Sequence, residues 1–491
     1  ALRAPPQPFK LKVHERASSV WRRQISREAM PAEPQSMPAT ARRSDVSTGM
    51  VYGALADQQA FRTDPLLSDE DGIREGGQRA QANPAFPADR KFRDVFWAAL
   101  FLVVFVGTLA SAMWFSSKIN VHWKHRADHV ADTPEMWALL VAGLVAMLAS
   151  SAASLAFFGL VAVAPSFVVW TSLLFQPAFM IASGAILICF GGTAAIAHAS
   201  CFILVGLLAL AITFCCLWRH IPFMILVVET VSRVITSNPA MAGVSVLGSL
   251  LAALWLSSVS LAAAGAHLAL SDKVDGSNPS AGYGFLFVLV FVFVWGSQVF
   301  HNVCHLTYCG VVGRWYHGVD EHAAVSKSLG VACTTSFGSV CFGSFLVALV
   351  RAVQAVVDRA ATDAENNRNI ACCVILTILK CIVECIGDIL QYFNEWAYVQ
   401  CAIRGTSFLE SASITKSMLT CANVKYIVQD LFIDSVAFFG ALLCSLVGMG
   451  AGALVGWSFN SLALWAGGFI GFLSGLMAGS AATSILSSGA K

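Results

Sequence analysis

Five polar side chains recur within an otherwise apolar stretch: Lys380, Glu384, Asp388, Gln391 and Glu395, at intervals of four, four, three and four. That spacing follows the turn of an α-helix, so the five share one stripe. An ionised side chain at the centre of a bilayer-spanning helix costs roughly 2.5–3.5 kcal/mol on insertion scales, whereas a leucine returns only about half a kcal/mol. Glu384 and Asp388 together therefore offset the insertion gain of about ten leucines. The stripe must face protein or water and not lipid. Two readings stay open. In one, Lys380 neutralises Glu384 and the rest forms a hydrogen-bonded seam between helices. In the other, the acids line a path for a cation, since a single lysine cannot neutralise three carboxylates.

A second stripe complements the first. Trp295, Gln298, Asn302 and His305 follow one another at intervals of three, four and three inside a run rich in Phe and Val. Asp430 and Asp434 open a later apolar segment four residues apart; they either add to the acidic set or favour a helix amino terminus. Acids, amides and aromatic rings together suit an organic cation. A quaternary ammonium donates no hydrogen bond and is held by aromatic faces and a nearby negative charge. Trp295, Tyr392, Trp396 and Tyr398 are candidate faces, although aromatics near membrane interfaces also serve as plain anchors.

Other chemistries lack their motifs. No Gly-x-x-x-x-Gly-Lys-Ser/Thr loop is present to hold nucleotide phosphates, nor a His-Glu-x-x-His or Gly-x-Ser-x-Gly. His301 and His305 stand four apart as metal ligands do, but no third ligand has a recognisable spacing. Neither a cofactor, a metal nor a nucleic-acid partner is expected, and the chain does not read as an enzyme.

The elements that carry these residues are apolar helices. The chain has 491 residues, of which 57% are hydrophobic and 12% charged, about half the charge of an ordinary soluble domain. Ten segments reach the ~20 apolar residues that a span needs: about 95–115, 136–163, 167–190, 194–217, 241–266, 284–310, 329–357, 370–390, 428–455 and 461–485. The expected fold is an all-α polytopic membrane bundle of about ten transmembrane helices. Residues 1–94 form a polar tail expected to be disordered and cytosolic, 95–485 the transmembrane domain, and 486–491 a short carboxyl-terminal end at which the sequence is expected to be truncated. Lys and Arg counts lean the same way, with ten on the side of the amino terminus against seven opposite.

Two further stretches read as helices on the membrane surface. One begins at Pro222, carries Glu229 and Arg233 four apart, and ends at Asn238-Pro239; the other begins at Ser407, whose spacing to Glu410 has the form of a capping box. Gly467, Gly471, Gly475 and Gly479 make a smooth ridge on the last span, and Gly448, Gly452 and Gly456 repeat it one span earlier. The fifteen cysteines lie nearly all in apolar segments and read as small hydrophobes.

Several segments resemble the choline transporter-like family. Arg219-His220-Ile221-Pro222 with Asn238-Pro239 is similar to that family's Arg-x-Ile-Pro-Phe … Asn-Pro stretch. Val311 to Tyr316 resembles its turn after the sixth span, and Ser336 to Ser344 its Gly-Ser-x-x-x-Gly-Ser segment. Phe393 to Phe408 follows its Asn-x-x-Ala-Tyr … Ala-Ile-x-Gly-x-Ser-Phe signature. The short cysteine-free stretch 116–135 is closer to the fungal and protist branch, the pH-nine-sensitive proteins, than to animal members.

The resemblance implies ten spans, residence in the plasma membrane or an organelle membrane, and transport of choline or a related small organic cation. Facilitated and proton-coupled transport both remain open. The residues expected to carry it are Trp295, Gln298, Asn302, His305, Glu384, Asp388, Gln391, Glu395, Asp430 and Asp434. The alternatives are a non-transporting membrane scaffold assembled through the glycine ridges, and a membrane-embedded enzyme acting on lipid headgroups.

Overall fold

The computed structural model describes residues 86–87, 90–130, 134–271, 279–319, 323–366, 370–422, 425–459 and 461–491. The expected disorder of the tail lies outside these residues up to position 85. The described chain forms thirteen α-helices: α1 Val95–Val130, α2 Pro134–Val163, α3 Pro165–Phe190, α4 Gly192–Ile212, α5 Ile221–Ser237, α6 Ala240–Ser271, α7 Pro279–His317, α8 Ala324–Cys333, α9 Phe337–Asn366, α10 Ile370–Arg404, α11 Phe408–Ala422, α12 Lys425–Trp457 and α13 Ser461–Ala490. No strand occurs among the described residues. Proline marks several starts, at Pro134, Pro165 and Pro279, where the missing N–H would be unbonded in any case. Gly405, with φ +69°, ends α10 in a left-handed turn that a side chain would strain.

Long apolar side chains ring the outside of the bundle: Leu102, Val103, Val106, Ile186, Phe190, Leu204, Leu250, Ile375 and Trp465 are all exposed. Water would not tolerate so wide a belt, and lipid supplies the missing partner. Ten helices among the described residues are long and apolar enough to cross a membrane. Nine coincide with the spans expected from sequence. The tenth by composition is Trp218–Ser237, while α10, which holds the expected span 370–390, is not among the ten. Length reverses that pair. The 17 residues of α5 rise about 26 Å, short of a hydrocarbon core of about 30 Å, whereas the 35 of α10 rise about 52 Å. α5 also has one buried face, through Met224, Val228, Val231 and Ile235, and an exposed Glu229–Arg233 ion pair on the other. A buried apolar face opposite an ion pair is the pattern of an amphipathic helix, the pattern expected here from sequence.

The expected span 329–357 is two elements. A break at Thr334–Ser336 separates the short α8 from α9, which begins at Phe337. The helices assemble in two groups. α12 and α13 pack on each other and on α2, with α3, α4 and α5 beside them; α7 and α9 organise the second group with α1, α6, α8, α10 and α11. α13 joins the two by also packing on α6 and α7. There are two apolar centres, one around Val168, Met224, Phe432 and Leu486, which Tyr308 of α7 also joins, the other around Trp295, Leu306, Val340, Tyr398 and Phe408.

The residues just before α1 are packed against the second group. Asp94 accepts hydrogen bonds at one carboxylate oxygen from Ser339 Oγ (2.6 Å) and from the Phe408 backbone N–H (2.8 Å). The Arg93 N–H donates to the Thr335 carbonyl (3.0 Å), and Arg90 donates to the Ile403 carbonyl (2.9 Å). Burial, with the neighbouring Arg314 charge, brings Arg90 down to about 10. The first N–H of α11 is thus capped by Asp94, a partner 314 positions away, where the sequence pointed to a local capping box.

The glycine ridges face each other. A Cβ at Gly452 would collide with the Gly467 carbonyl, one at Gly448 or Gly471 with the backbone of the other, and one at Gly475 with the Cys444 carbonyl. Both ridges are spent on the α12–α13 contact inside the chain. Gly450, on the opposite side of α12, has open space around it. Gly452→Ala is expected to destabilise the protein by about 1–3 kcal/mol, as overpacking does, and Gly450→Ala to leave it unchanged or slightly better. Thermal melting of the two purified variants in detergent checks the difference.

Candidate functional site

His305 lies where three helices of the two groups meet. α7 delivers its ring between Ser488 Oγ on α13 (2.8 Å from Nδ1) and the Glu395 carbonyl on α10 (3.0 Å from Nε2). Both ring nitrogens are occupied by protein, which removes the pair His301 and His305 from consideration as joint metal ligands. One turn earlier, Asn302 donates to Ser344 Oγ on α9 (3.0 Å) and makes a longer contact with Gln298 Oε1 (3.4 Å). Trp295 donates its indole N–H to the Cys341 carbonyl (3.0 Å) and is enclosed by Phe101, Phe291 and Phe345. The second stripe expected from sequence is therefore one face of α7, and its polar groups are met by α9, α10 and α13.

Local sequence explains how α10 comes so near. A Cβ at Gly343 would collide with the Tyr398 hydroxyl, so the bare backbone of α9 lets Tyr398 donate to the Val340 carbonyl (3.2 Å). Asn394 donates to the Gly343 carbonyl beside it (2.8 Å). The glycine-serine segment and the Asn394–Tyr398 segment are thus two halves of one contact.

The first stripe divides near Gln391. Towards the amino end of α10, Lys380 pairs with Asp358 on α9 (3.2 Å), and does not neutralise Glu384. Asp388 pairs with Arg351 (2.7 Å), which also donates to Gln391 (3.3 Å). Arg351 projects from α9, so the pair ties that helix to α10. Glu384 is exposed on the outside of α10, and the Asp388 side chain is 63% exposed. Towards the carboxyl end the stripe turns inward. Glu395 forms an ion pair with Lys491, whose side chain is only 6% exposed.

α12 brings its two acids to the same place. Trp396 donates its indole N–H to Asp430 Oδ2 (3.0 Å), and the Tyr392 hydroxyl faces the same carboxylate. Asp430 is 6% exposed, so this carboxylate is held among aromatic side chains and away from solvent. Asp434, one turn on, is exposed at the edge of the group. Glu395, Asp430 and Asp434 all act electrostatically on Lys491. Three carboxylates, two aromatic side chains and one ammonium therefore share the seam between α10, α12 and the end of α13. Of the ten residues expected from sequence, Glu395, Asp430 and Asp434 come together here, with His305 bonded to the backbone of Glu395. Trp295, Gln298 and Asn302 lie behind them on α7; Glu384, Asp388 and Gln391 lie apart, towards the other end of α10. Sequence reasoning missed Lys491 and Ser488, since it closed the last span at 485, whereas α13 runs to Ala490.

A family model described as "Plasma-membrane choline transporter" matches residues 201–491. Among similar proteins, Protein PNS1 of Mycosarcoma maydis is 26% identical over 385 residues, covering 76% of this chain and 70% of that protein. Protein PNS1 of Yarrowia lipolytica is 27% identical over 265 residues, covering 50% and 45%. A CTL-like protein of Dictyostelium discoideum is 34% identical over 194 residues, covering 38% and 34%. The chain thus spans about a third to a half of the length of the last two.

Removing the ammonium from this seam should leave a largely buried Glu395 uncompensated. Lys491→Ala is expected to cost about 1–3 kcal/mol of stability, less than for a wholly buried pair because Glu395 is partly exposed. Adding Glu395→Gln should recover most of that loss. A double-mutant cycle on thermal melting measures both.

Proposed function

Because the chain belongs to the choline transporter-like family, we propose that it carries choline or a related small organic cation across a membrane by facilitated or proton-coupled transport. The plasma membrane is the proposed location, with an organelle membrane as the alternative. The observation that carries this reading is the buried Asp430 carboxylate, with Tyr392 and Trp396 against it. A quaternary ammonium needs that combination of negative charge and aromatic faces, and asks for no hydrogen-bond acceptor in line. Glu395 and Asp434 add two further carboxylates against a single lysine, so the seam carries an excess of negative charge.

The other expected site residues take supporting places in this proposal. Glu384 is exposed towards the opposite end of α10 and attracts the cation on approach from that side. Asp388 and Gln391 are engaged by Arg351, which holds α10 against α9. His305, Asn302, Gln298 and Trp295 form the wall behind the seam. Alternate exposure of the seam would come from the helix group of α12 and α13 shifting against that of α7, α9 and α10. Driving force needs no nucleotide: one positive charge crossing 100 mV gains about 2.3 kcal/mol, enough for roughly fiftyfold accumulation. The scaffold alternative loses ground on one observation: both glycine ridges are used within the chain, between α12 and α13.

Labelled-choline uptake into proteoliposomes is the test. Uptake should be present in the unmodified protein and fall at least about tenfold in Asp430→Asn, the size expected when a charge-assisted contact is lost. Glu384→Gln should lower uptake less, and Asp388→Asn should act mainly on stability through Arg351. Uptake that survives Asp430→Asn and Glu395→Gln together would remove the seam from the mechanism.

A further inference from the structure

The carboxylate seam already holds an alkylammonium. Lys491, directly after α13, carries its Nζ onto Glu395 of α10 and donates to Oε2. The lysine side chain is 6% exposed and that of Glu395 24%, so the ammonium is enclosed while the carboxylate it bonds can still be reached from outside. Asp430 and Asp434 act electrostatically on the same ammonium. A lysine head is a compact charge on a flexible four-carbon stem, so it can leave Glu395 without moving the backbone that carries it.

The pair also ties together the two helix groups. Ties across the seam include Glu395–Lys491 between α10 and α13, Trp396–Asp430 between α10 and α12 (3.0 Å), and His305–Ser488 between α7 and α13 (2.8 Å), beside which Cys309 Sγ donates to the Ser488 carbonyl (3.3 Å). Of these, only Glu395–Lys491 sets a cation against an anion, and it is therefore the one that another cation can replace. We infer that Lys491 is the tethered competitor of the cargo: its ammonium holds Glu395 while the carrier is empty, and an arriving organic cation displaces it and unties α13 from α10. The inference rests on the transport reading above and adds the event that links cargo binding to movement of the helix groups. A ligand shifts a conformational equilibrium only by its difference in affinity for the two states, and displacement of the pair supplies that difference. Return of the ammonium to Glu395 then expels the cargo and resets the tie.

Two measurements test this role. The first uses the unmodified protein. Saturating choline should raise severalfold the modification of Lys491 by an amine-reactive reagent, read by mass spectrometry, because the displaced ammonium leaves its enclosed place. A lysine with a purely structural role would stay enclosed, and unchanged or reduced modification overturns the inference. The second separates KM from kcat for choline uptake into proteoliposomes. Lys491→Gln removes the competitor, so KM should fall about tenfold, as expected when a like charge a few ångströms away is removed. kcat should fall with it, because nothing then expels the cargo. Lys491→Arg keeps the charge and should keep the higher KM. A KM that is unchanged or raised in Lys491→Gln overturns the competitor role and leaves the transport reading standing. Choline that is neither bound nor taken up by the unmodified protein overturns both.

Discussion

A charge inside hydrocarbon has to find an opposite charge, a hydrogen bond or water, because the solvation it leaves behind is worth more than any apolar contact returns. Most of this structure answers to that constraint. Lys380 reaches Asp358, Asp388 reaches Arg351, and Glu395 reaches Lys491. Each pair joins two different helices, so the same groups that are expensive to bury also decide which helices stand side by side. At Asp430 the hydrogen-bonding neighbours are aromatic, the Trp396 indole and the Tyr392 hydroxyl. A membrane bundle held only by apolar surfaces gains little from one helix neighbour over another, since lipid tails offer the same contact. The polar pairs and the glycine seam supply the discrimination.

Hydropathy made the long helices of the bundle visible, 370–390 among them, because the period and length of an apolar run are local properties. The acidic stripe on α10 was legible as a face, but its partners were not. Periodicity assigns Lys380 and Glu384 to one side of a helix and implies that they meet; the structure turns Lys380 towards Asp358, a residue on another helix 22 positions earlier. Lys491 was out of reach for a different reason. It lies 96 positions from Glu395, at the end of a helix whose last turns are built from Ser, Gly and Ala and look like a fading span. The break between α8 and α9 was hidden too, since Thr334, Thr335 and Ser336 hardly interrupt the apolar pattern around them.

The segments that carry the family resemblance are mostly structural. Asn394, Tyr398 and Gly343 close one helix contact, and Gly405 turns the chain into α11. Such residues set the distance between α9 and α10 to within the length of a side chain, and with it the position of Tyr392, Glu395 and Trp396. The buried Asp430 carboxylate faces those three side chains from α12.

Asp94 has a bearing on biosynthesis. Its carboxylate is shared by Ser339 and by the backbone of Phe408, residues that leave the ribosome long after the first helix has entered the bilayer. Until then the Asp94 carboxylate has neither of these donors, and α1 must be held by its apolar surface alone. Closure at Asp94 is consequently a late event of maturation, a clasp fastened once eleven helices are in place, and its opening would expose the same unfinished intermediate to quality control.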